Sequence, residues 1–223
     1  MTNNTQTPFN AKKYYSNILS IVPFYDEFHK QTLGLVKQLD LQSLSWLDLG
    51  CGSGELCLKA AEVFPDICFT MVDPSEQMLE LAKEKSSHLN ARYICSTSQE
   101  INFNSEFDVI TAIMSHHYLD TVSRCRAVFN TFHALKDGGI FICFENTVPE
   151  FEKLKDFELA RWGNFQLDSG RTHEQVNEHL KRCGTSYFPL TISEHISLLR
   201  STGFRVYNIF WHSYMQTGFY AIK

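Results

Sequence analysis

The sequence predicts an α/β fold, a mostly parallel sheet covered by helices on both faces and finished by one antiparallel strand. Three observations predict it. Through the middle of the 223-residue chain, short apolar runs alternate with amphipathic helical patterns, the βα rhythm of a parallel sheet. A glycine cluster, Gly50-Cys51-Gly52-Ser53-Gly54, lies where the first of these strands passes into a helix. The last two apolar runs sit too close together for a crossover helix, so they form an antiparallel hairpin.

Taken in order, residues 10–40 read as helical, offering Ile18, Leu19, Val22, Leu33, Leu35 and Val36 for packing. Ser45 to Leu49 reads as a buried strand, and Glu55 to Phe64 as the helix after it, stopped by Pro65. Ile67 to Val72 is a second strand, and Ser75 to Ser86 a helix with Met78, Leu79 and Ala82 on one face. Arg92 to Cys95 and Phe107 to Met114 are the third and fourth strands, and Thr121 to Leu135 an amphipathic helix. Asp137-Gly138-Gly139 reads as a turn before a fifth strand, Ile140 to Phe144. After a charged, aromatic-rich stretch, Ile192 to Ser201 is a helix stopped at Gly203; Phe204 to Phe210 and Tyr214 to Ile222 are the hairpin strands. The whole chain, 1–223, reads as one domain, with residues 1–40 and 147–190 as helical lid segments over one edge of the sheet.

Composition narrows the function classes. No apolar run approaches the roughly 18 residues that span a bilayer, and the polar start MTNNTQTPFNAKKYY has no signal-peptide core. A cytoplasmic protein without a membrane partner is expected. Seven cysteines, at 51, 57, 68, 95, 125, 143 and 183, show neither a CxxC pair nor zinc spacing, so they read as small buried hydrophobes and no metal is expected. A net charge of −5 provides no broad basic footprint, so direct nucleic-acid binding is not expected.

The segment Trp46-Leu47-Asp48-Leu49-Gly50-Cys51-Gly52-Ser53-Gly54 carries the most chemistry. Glycines at a strand–helix junction let backbone approach a ligand at the carboxyl end of a sheet. Asp48 would repel a pyrophosphate but attract an ammonium group, and GxGxG is not the GxGxxG of dinucleotide binders. Asp73, 19 residues beyond Gly54 at the end of the second strand, can accept hydrogen bonds from both hydroxyls of a ribose. It can also cap the helix starting near Ser75, whose first turn suits Pro74.

Leu47 to Gly54, Val72-Asp73-Pro74-Ser75, Phe107-Asp108-Val109-Ile110 and Leu135-Lys136-Asp137-Gly138-Gly139 together resemble the successive motifs of class I S-adenosylmethionine (SAM)-dependent methyltransferases, over roughly residues 44–145. The resemblance implies a Rossmann-like seven-stranded sheet whose last strand is antiparallel. It also implies that Asp48, Gly50, Cys51, Gly52 and Gly54 surround the methionine end of SAM, Asp73 and Pro74 the ribose, and Met78 the cofactor pocket. The family often has Gly-Asp-Ala after the third strand; here Thr97 and Ser98 stand in that region near adenine. Ile113 and Met114 follow from the segment that lies beside the transferring methyl.

Methyl transfer needs alignment more than acid–base power, and a base only for a protonated nucleophile. His116 and His117 are the candidates, each with a bland alternative of packing against a helix or lining the cofactor pocket. Of the aromatics Phe141, Phe144, Phe151, Phe157, Trp162, Phe165 and Phe188, Trp162 is the one considered for a substrate role against its reading as core.

A narrower likeness joins the ends. Val22-Pro23-Phe24-Tyr25 and Lys181-Arg182, before Leu190-Thr191, are similar to carboxy-SAM synthases, class I folds that make a carboxylated SAM used in tRNA wobble-uridine modification. That likeness implies Tyr25 near the cofactor and Arg182 facing a carboxylate across a homodimer. The chain departs at Gly52-Ser53-Gly54, where that family has Ser-Leu-Gly, and at Ile113, where an asparagine is expected. The other reading of Arg182 is a solvated helix surface paired with Glu178. The leading expectation is a SAM-dependent methyltransferase acting on a small molecule. The alternatives are a carboxy-SAM synthase-like transferase and a non-catalytic SAM-binding protein.

Overall fold

Seven strands form one continuous sheet at the centre of the computed structural model, which describes residues 14–39 and 43–223. The parts of the expected N-terminal helix and lid at residues 1–13 and 40 lie outside the described residues. The strands are β1 (Leu44–Leu49), β2 (Ile67–Asp73), β3 (Ala91–Cys95), β4 (Phe107–Ile113), β5 (Leu135–Val148), β7 (Val206–Ser213) and β8 (Gln216–Ile222), in the order β3-β2-β1-β4-β5-β8-β7. Strands β1 to β5 pair in parallel, and β8 runs antiparallel to both its neighbours, as the hairpin predicted. A two-residue strand, β6 (Leu190–Thr191), which the sequence reading did not include, pairs with the far end of β5.

The alternation of β1 shows how the sequence builds both faces. Leu47 and Leu49 point into one core with Ile110 and Ala112, closed by α5 (Thr121–Ala134) and α8 (Ile192–Thr202) through Val128 and Leu199. Leu44 and Trp46 point into the other with Val109 and Ile142. That core is closed by α2 (Tyr25–Val36), α3 (Glu55–Ala61) and α4 (Glu76–Lys85) through Val36, Leu56 and Leu79. At the amino end of the sheet, Asp108 accepts hydrogen bonds from the Ser45 hydroxyl at 2.6 Å and the Lys136 ammonium at 2.9 Å, tying β1, β4 and β5 together.

A third cluster lies where the parallel strands end. Ile18 and Ile21 of α1 (Tyr14–Ile21), Phe28 of α2 and Trp162 of α6 (Lys155–Asp168) pack there on Met114 and Phe144. Helix α7 (His173–Leu180) joins α6 closely: a Cβ at Gly163 would stand 3.1 Å from Leu180.

Some boundaries differ from expectation, each for a local reason. Pro23 divides the first helical region in two, and Leu19 is exposed rather than packed. Helix α3 stops at Ala61, short of Phe64. Asp137-Gly138-Gly139 is a bulge inside β5 rather than a turn before it: Leu135 faces Phe107 and Ile140 faces Val109. Gly138 N–H donates to the carbonyl of Lys223, and Lys223 N–H to that of Gly139, so the chain end holds the bulge in the sheet. No helix among the described residues is long and apolar enough to cross a membrane.

Candidate functional site

The glycine loop is fixed from below. Gly50 N–H and Cys51 N–H both donate to the carbonyl of Val72, at 2.8 and 3.1 Å, so the turn leaving β1 is bound to the end of β2. Gly50, Gly52 and Gly54 all have positive φ, at 71°, 55° and 80°, and Gly54 stands at the N-cap of α3. At Gly50 space is a second constraint, because a Cβ there would lie 2.5 Å from that of Ser115.

Asp73 braces the loop. One carboxylate oxygen accepts Gly52 N–H and the other Ser75 N–H, both at 2.9 Å. The cap of α4 is Ser75 itself, whose hydroxyl accepts Met78 N–H, so Asp73 does not take the capping role considered for it. Burial pushes the Asp73 carboxyl above the usual range, against the two backbone donors. Each oxygen keeps a second lone pair for a further donor.

Asp48 is buried between β1 and α3. It accepts the Thr111 hydroxyl at 2.7 Å and the Cys57 thiol at 3.6 Å, and pairs with no cation among the described residues. Burial raises its carboxyl to about 6. An ammonium group placed beside it would supply the missing countercharge. The residues therefore fit a ligand that carries an ammonium at one end and vicinal hydroxyls at the other.

One cavity gathers Tyr25, Asp48, Gly50, Cys51, Gly52 and Ile113 from the expected set. His29, Ser53, Glu55 and Leu56 complete it and were not anticipated. Burial and the nearby Lys59 ammonium lower His29 to about 4; its Nδ1 lies 3.1 Å from the Lys59 Nζ. The other expected residues do not line this cavity. Gly54 and Met78 pack beneath the loop, Met78 with its methyl 3.3 Å from where a Gly52 Cβ would be. Pro74 is exposed. Thr97 donates its hydroxyl to Glu100 at 2.7 Å, and buried Ser98 accepts the Asn130 amide through its carbonyl.

A second cavity adjoins the first across Ile113 and Met114, consecutive residues that line one cavity each. It brings together the expected Met114, His117, Trp162 and Arg182 with Asn146, His179 and Tyr187, which the sequence reading missed. Among the described residues His179 Nδ1 is buried without a hydrogen-bond partner, and the buried Tyr187 hydroxyl has the Cys183 thiol beside it. Burial, reinforced by Arg171 and Arg182, lowers His179 to about 3, and burial raises the Tyr187 hydroxyl. Among the described residues Arg182 forms no ion pair with Glu178; half-buried, its side chain borders this cavity beside the Tyr118 hydroxyl. Trp162 is wholly buried and spends its indole N–H on the carbonyl of Ile21 at 2.6 Å, so its main work is joining α6 to α1.

The two histidines diverge. His117 borders the second cavity, while the His116 ring turns into the core beside Arg124, Cys143 and His195, where its Nε2 has no hydrogen-bond partner among the described residues. Burial lowers His116 to about 4, and its position away from both cavities removes it as a candidate base. Polar Glu145 and Asn146 inside an apolar strand were the available sign of the missed β5 residues. His179, on a short polar helix, gave none.

A family model described as "Methyltransferase domain" matches residues 47–139. A carboxy-S-adenosyl-L-methionine synthase of Campylobacter lari is 27% identical over 187 residues, 83% of this chain and 80% of that protein. A malonyl-[acyl-carrier protein] O-methyltransferase of Priestia megaterium is 26% identical over 80% of this chain and 68% of its own length. Among solved structures, the YcgJ protein from Bacillus subtilis superposes with a TM-score of 0.62 at 23% identity, covering 82% of this chain and 71% of that one, a likeness of fold. Residues 47–139 thus match a methyltransferase domain, and the chain as a whole is similar to class I SAM-dependent methyltransferases, the carboxy-SAM synthases among them.

Proposed function

We propose that this enzyme methylates a small-molecule acceptor held in the cavity lined by Met114, Asn146 and Tyr187, with SAM in the adjoining glycine-loop cavity. The observation that carries this is that consecutive residues, Ile113 and Met114, line the two cavities; among the described residues the buried Asp48 carboxylate beside the first has no cation and His179 Nδ1 beside the second has no hydrogen-bond partner. SAM supplies an electrophilic methyl group on a sulfonium. Asp48 faces its ammonium, Asp73 accepts from its ribose, and the backbone of Gly50 to Gly54 wraps its methionine end. Tyr25 and Cys51 close that end; Pro74, Met78, Thr97 and Ser98 stand along the nucleoside side. Helices α1, α2, α6 and α7 act as the lid, and the enzyme works in the cytoplasm on a soluble metabolite rather than on nucleic acid.

A thermal-shift series tests the cofactor assignment, because a ligand that binds only the folded state raises its apparent stability. SAM and S-adenosylhomocysteine should stabilise the protein and NAD should not. Stabilisation by NAD alone would overturn the reading of the glycine loop.

One observation favours a second reading, a carboxy-SAM synthase-like transferase working as a homodimer. The Arg182 side chain borders the second cavity beside the Tyr118 hydroxyl, and among the described residues no carboxylate pairs with it, a placement suited to bidentate carboxylate binding. Mass spectrometry of the nucleoside that co-purifies with wild type and with Arg182→Ala separates the two. Carboxy-SAM in the wild type and its loss in the variant favours the synthase; plain SAM or S-adenosylhomocysteine in both favours the methyltransferase.

A further inference from the structure

Helix α2 carries His29 to the wall of the glycine-loop cavity one turn after Tyr25, and the two rings meet edge-on with centroids 5.1 Å apart. The imidazole is buried, and its Nδ1 lies 3.1 Å from the Lys59 Nζ of α3. The same ammonium reaches Asp26 Oδ1 at 2.9 Å. An ammonium can only donate, so Nδ1 must accept, and the ring proton belongs on Nε2. Burial and the Lys59 charge lower the ring to about 4, so it stays neutral in neutral solution. His29 is therefore an N–H donor through Nε2, which forms no hydrogen bond to a described residue while the ring lines the cavity.

One electrostatic pole of this cavity is Asp48, buried and without a cation among the described residues, the partner proposed for the ammonium of SAM. The methionine end of SAM carries a carboxylate on the same carbon as that ammonium. Seated beside Asp48, the carboxylate needs a donor of the opposite polarity, and the other acid on the wall, Glu55, cannot provide one. Cys51 turns its thiol to the Gly52 carbonyl, at 3.6 Å. Lys59 stands behind the His29 ring rather than on the cavity wall, so its charge acts through the imidazole and strengthens the Nε2–H as a donor. A purely structural tie between α2 and α3 is already met by Lys59 and Asp26. It leaves unexplained a neutral ring of fixed tautomer on the wall of the cavity.

We propose that His29 is a cofactor-binding residue that donates its Nε2–H to the α-carboxylate of SAM, with Lys59 as its positioning residue. With Asp48 on the ammonium, the cavity then reads the charge pair of an amino acid and selects nucleosides that keep the carboxylate. The assignment rests on the SAM reading of this cavity, and it holds for a methyltransferase and for a carboxy-SAM synthase alike.

The test is calorimetry with two ligands, S-adenosylhomocysteine and its decarboxylated analogue S-adenosyl-3-thiopropylamine, which keeps the ammonium and the ribose. Wild type should prefer S-adenosylhomocysteine roughly 10- to 100-fold, the worth of one charge-assisted hydrogen bond. His29→Leu should remove most of that preference by weakening S-adenosylhomocysteine alone. His29→Gln, whose amide keeps a donor near the Nε2 position, should restore part of it, and Lys59→Met should reduce it. Long-range ¹H–¹⁵N spectra of histidine-labelled protein, with His29 identified by its loss in His29→Gln, should show the wild-type proton on Nε2. A preference unmoved in His29→Leu overturns the contact, and so does an equal weakening of both ligands, the mark of a merely structural ring. A proton on Nδ1 overturns the donor and the part given to Lys59. Wild type binding neither nucleoside overturns the SAM reading, and this assignment with it. Should His29→Leu fail to fold, the tautomer and the wild-type preference decide, and a wild type indifferent to the carboxylate overturns the proposal.

Discussion

Replacing Asp48 with asparagine should stabilise the empty protein at high pH while weakening its grip on SAM. The native carboxyl titrates at about 6 where an ordinary one titrates at 3.8, a difference of roughly 3 kcal/mol at 1.36 kcal/mol per unit. The sign follows from which state holds the proton. Below pH 3.8 both folded and unfolded chains keep it, and the cost of burying the charge is absent. Above about pH 6 both have lost it, and the folded state bears the whole cost. Asparagine keeps an oxygen for the Thr111 hydroxyl but turns an amide toward the Cys57 sulfur, a poor acceptor, at a cost of about 1–3 kcal/mol. That cost does not change with pH, so it cancels in the comparison. Urea unfolding of wild type and Asp48→Asn at pH 4 and pH 8 should therefore show the variant gaining about 2 kcal/mol relative to wild type between the two. Calorimetry at pH 8 should show SAM bound roughly 10- to 100-fold more weakly, the loss of one charge-assisted contact. A difference between the proteins that does not move with pH would refute the buried-charge argument, and unchanged SAM affinity would refute the ammonium assignment.

Two further substitutions test the neighbouring parts. Asp73→Ala removes the acceptor proposed for the ribose and the brace on Gly52 and Ser75; calorimetry should show SAM affinity falling by one to a few orders of magnitude, and unchanged affinity in a folded variant would reject the ribose role. Trp162→Phe leaves the Ile21 carbonyl without its indole donor, which should lower stability by about 1–3 kcal/mol and the melting temperature by roughly 2–4 °C for each kcal/mol; scanning calorimetry showing no change would mean that α6 and α1 are not joined there.

The glycine loop was legible because its constraints are local. Three glycines within five residues are required by three positive φ values, and Asp48 and Asp73 stand at fixed offsets from them, next to last in β1 and last in β2. The antiparallel strand was legible for the same kind of reason, since so short a connection admits only a hairpin. The second cavity was not, because its members come from α1, the turn after β4, β5, α6 and the α7 segment, and only folding collects them. His116 and His117 illustrate the limit. Sequence placed both at the right turn, but which one faces the cavity depends on how Glu145 holds the turn from β5. Trp162 shows the converse: an aromatic residue at the cavity wall whose one polar group is already committed to a helix end.

The two cavities meet where the backbone departs from strand geometry, and this explains how one short segment serves both. Continued as a strand, β4 would send Ile113 and Met114 to opposite faces of the sheet, into the two helical layers. Met114 instead takes φ of +54°, a conformation that costs a non-glycine residue roughly 1–2 kcal/mol. Its N–H is held by the carbonyl of Phe144 at 2.7 Å, and the following Ser115 hydroxyl by that of Leu49 at 3.0 Å, so both flanking strands enforce the turn. The consequence is positional. Ile113 stays beside the glycine loop, Met114 swings under α1, and His117 arrives one short turn later against Glu145. Strain at this residue, set against the hydrogen bonds that hold it, puts Ile113, Met114 and His117, which line the two cavities, within five consecutive positions of the chain.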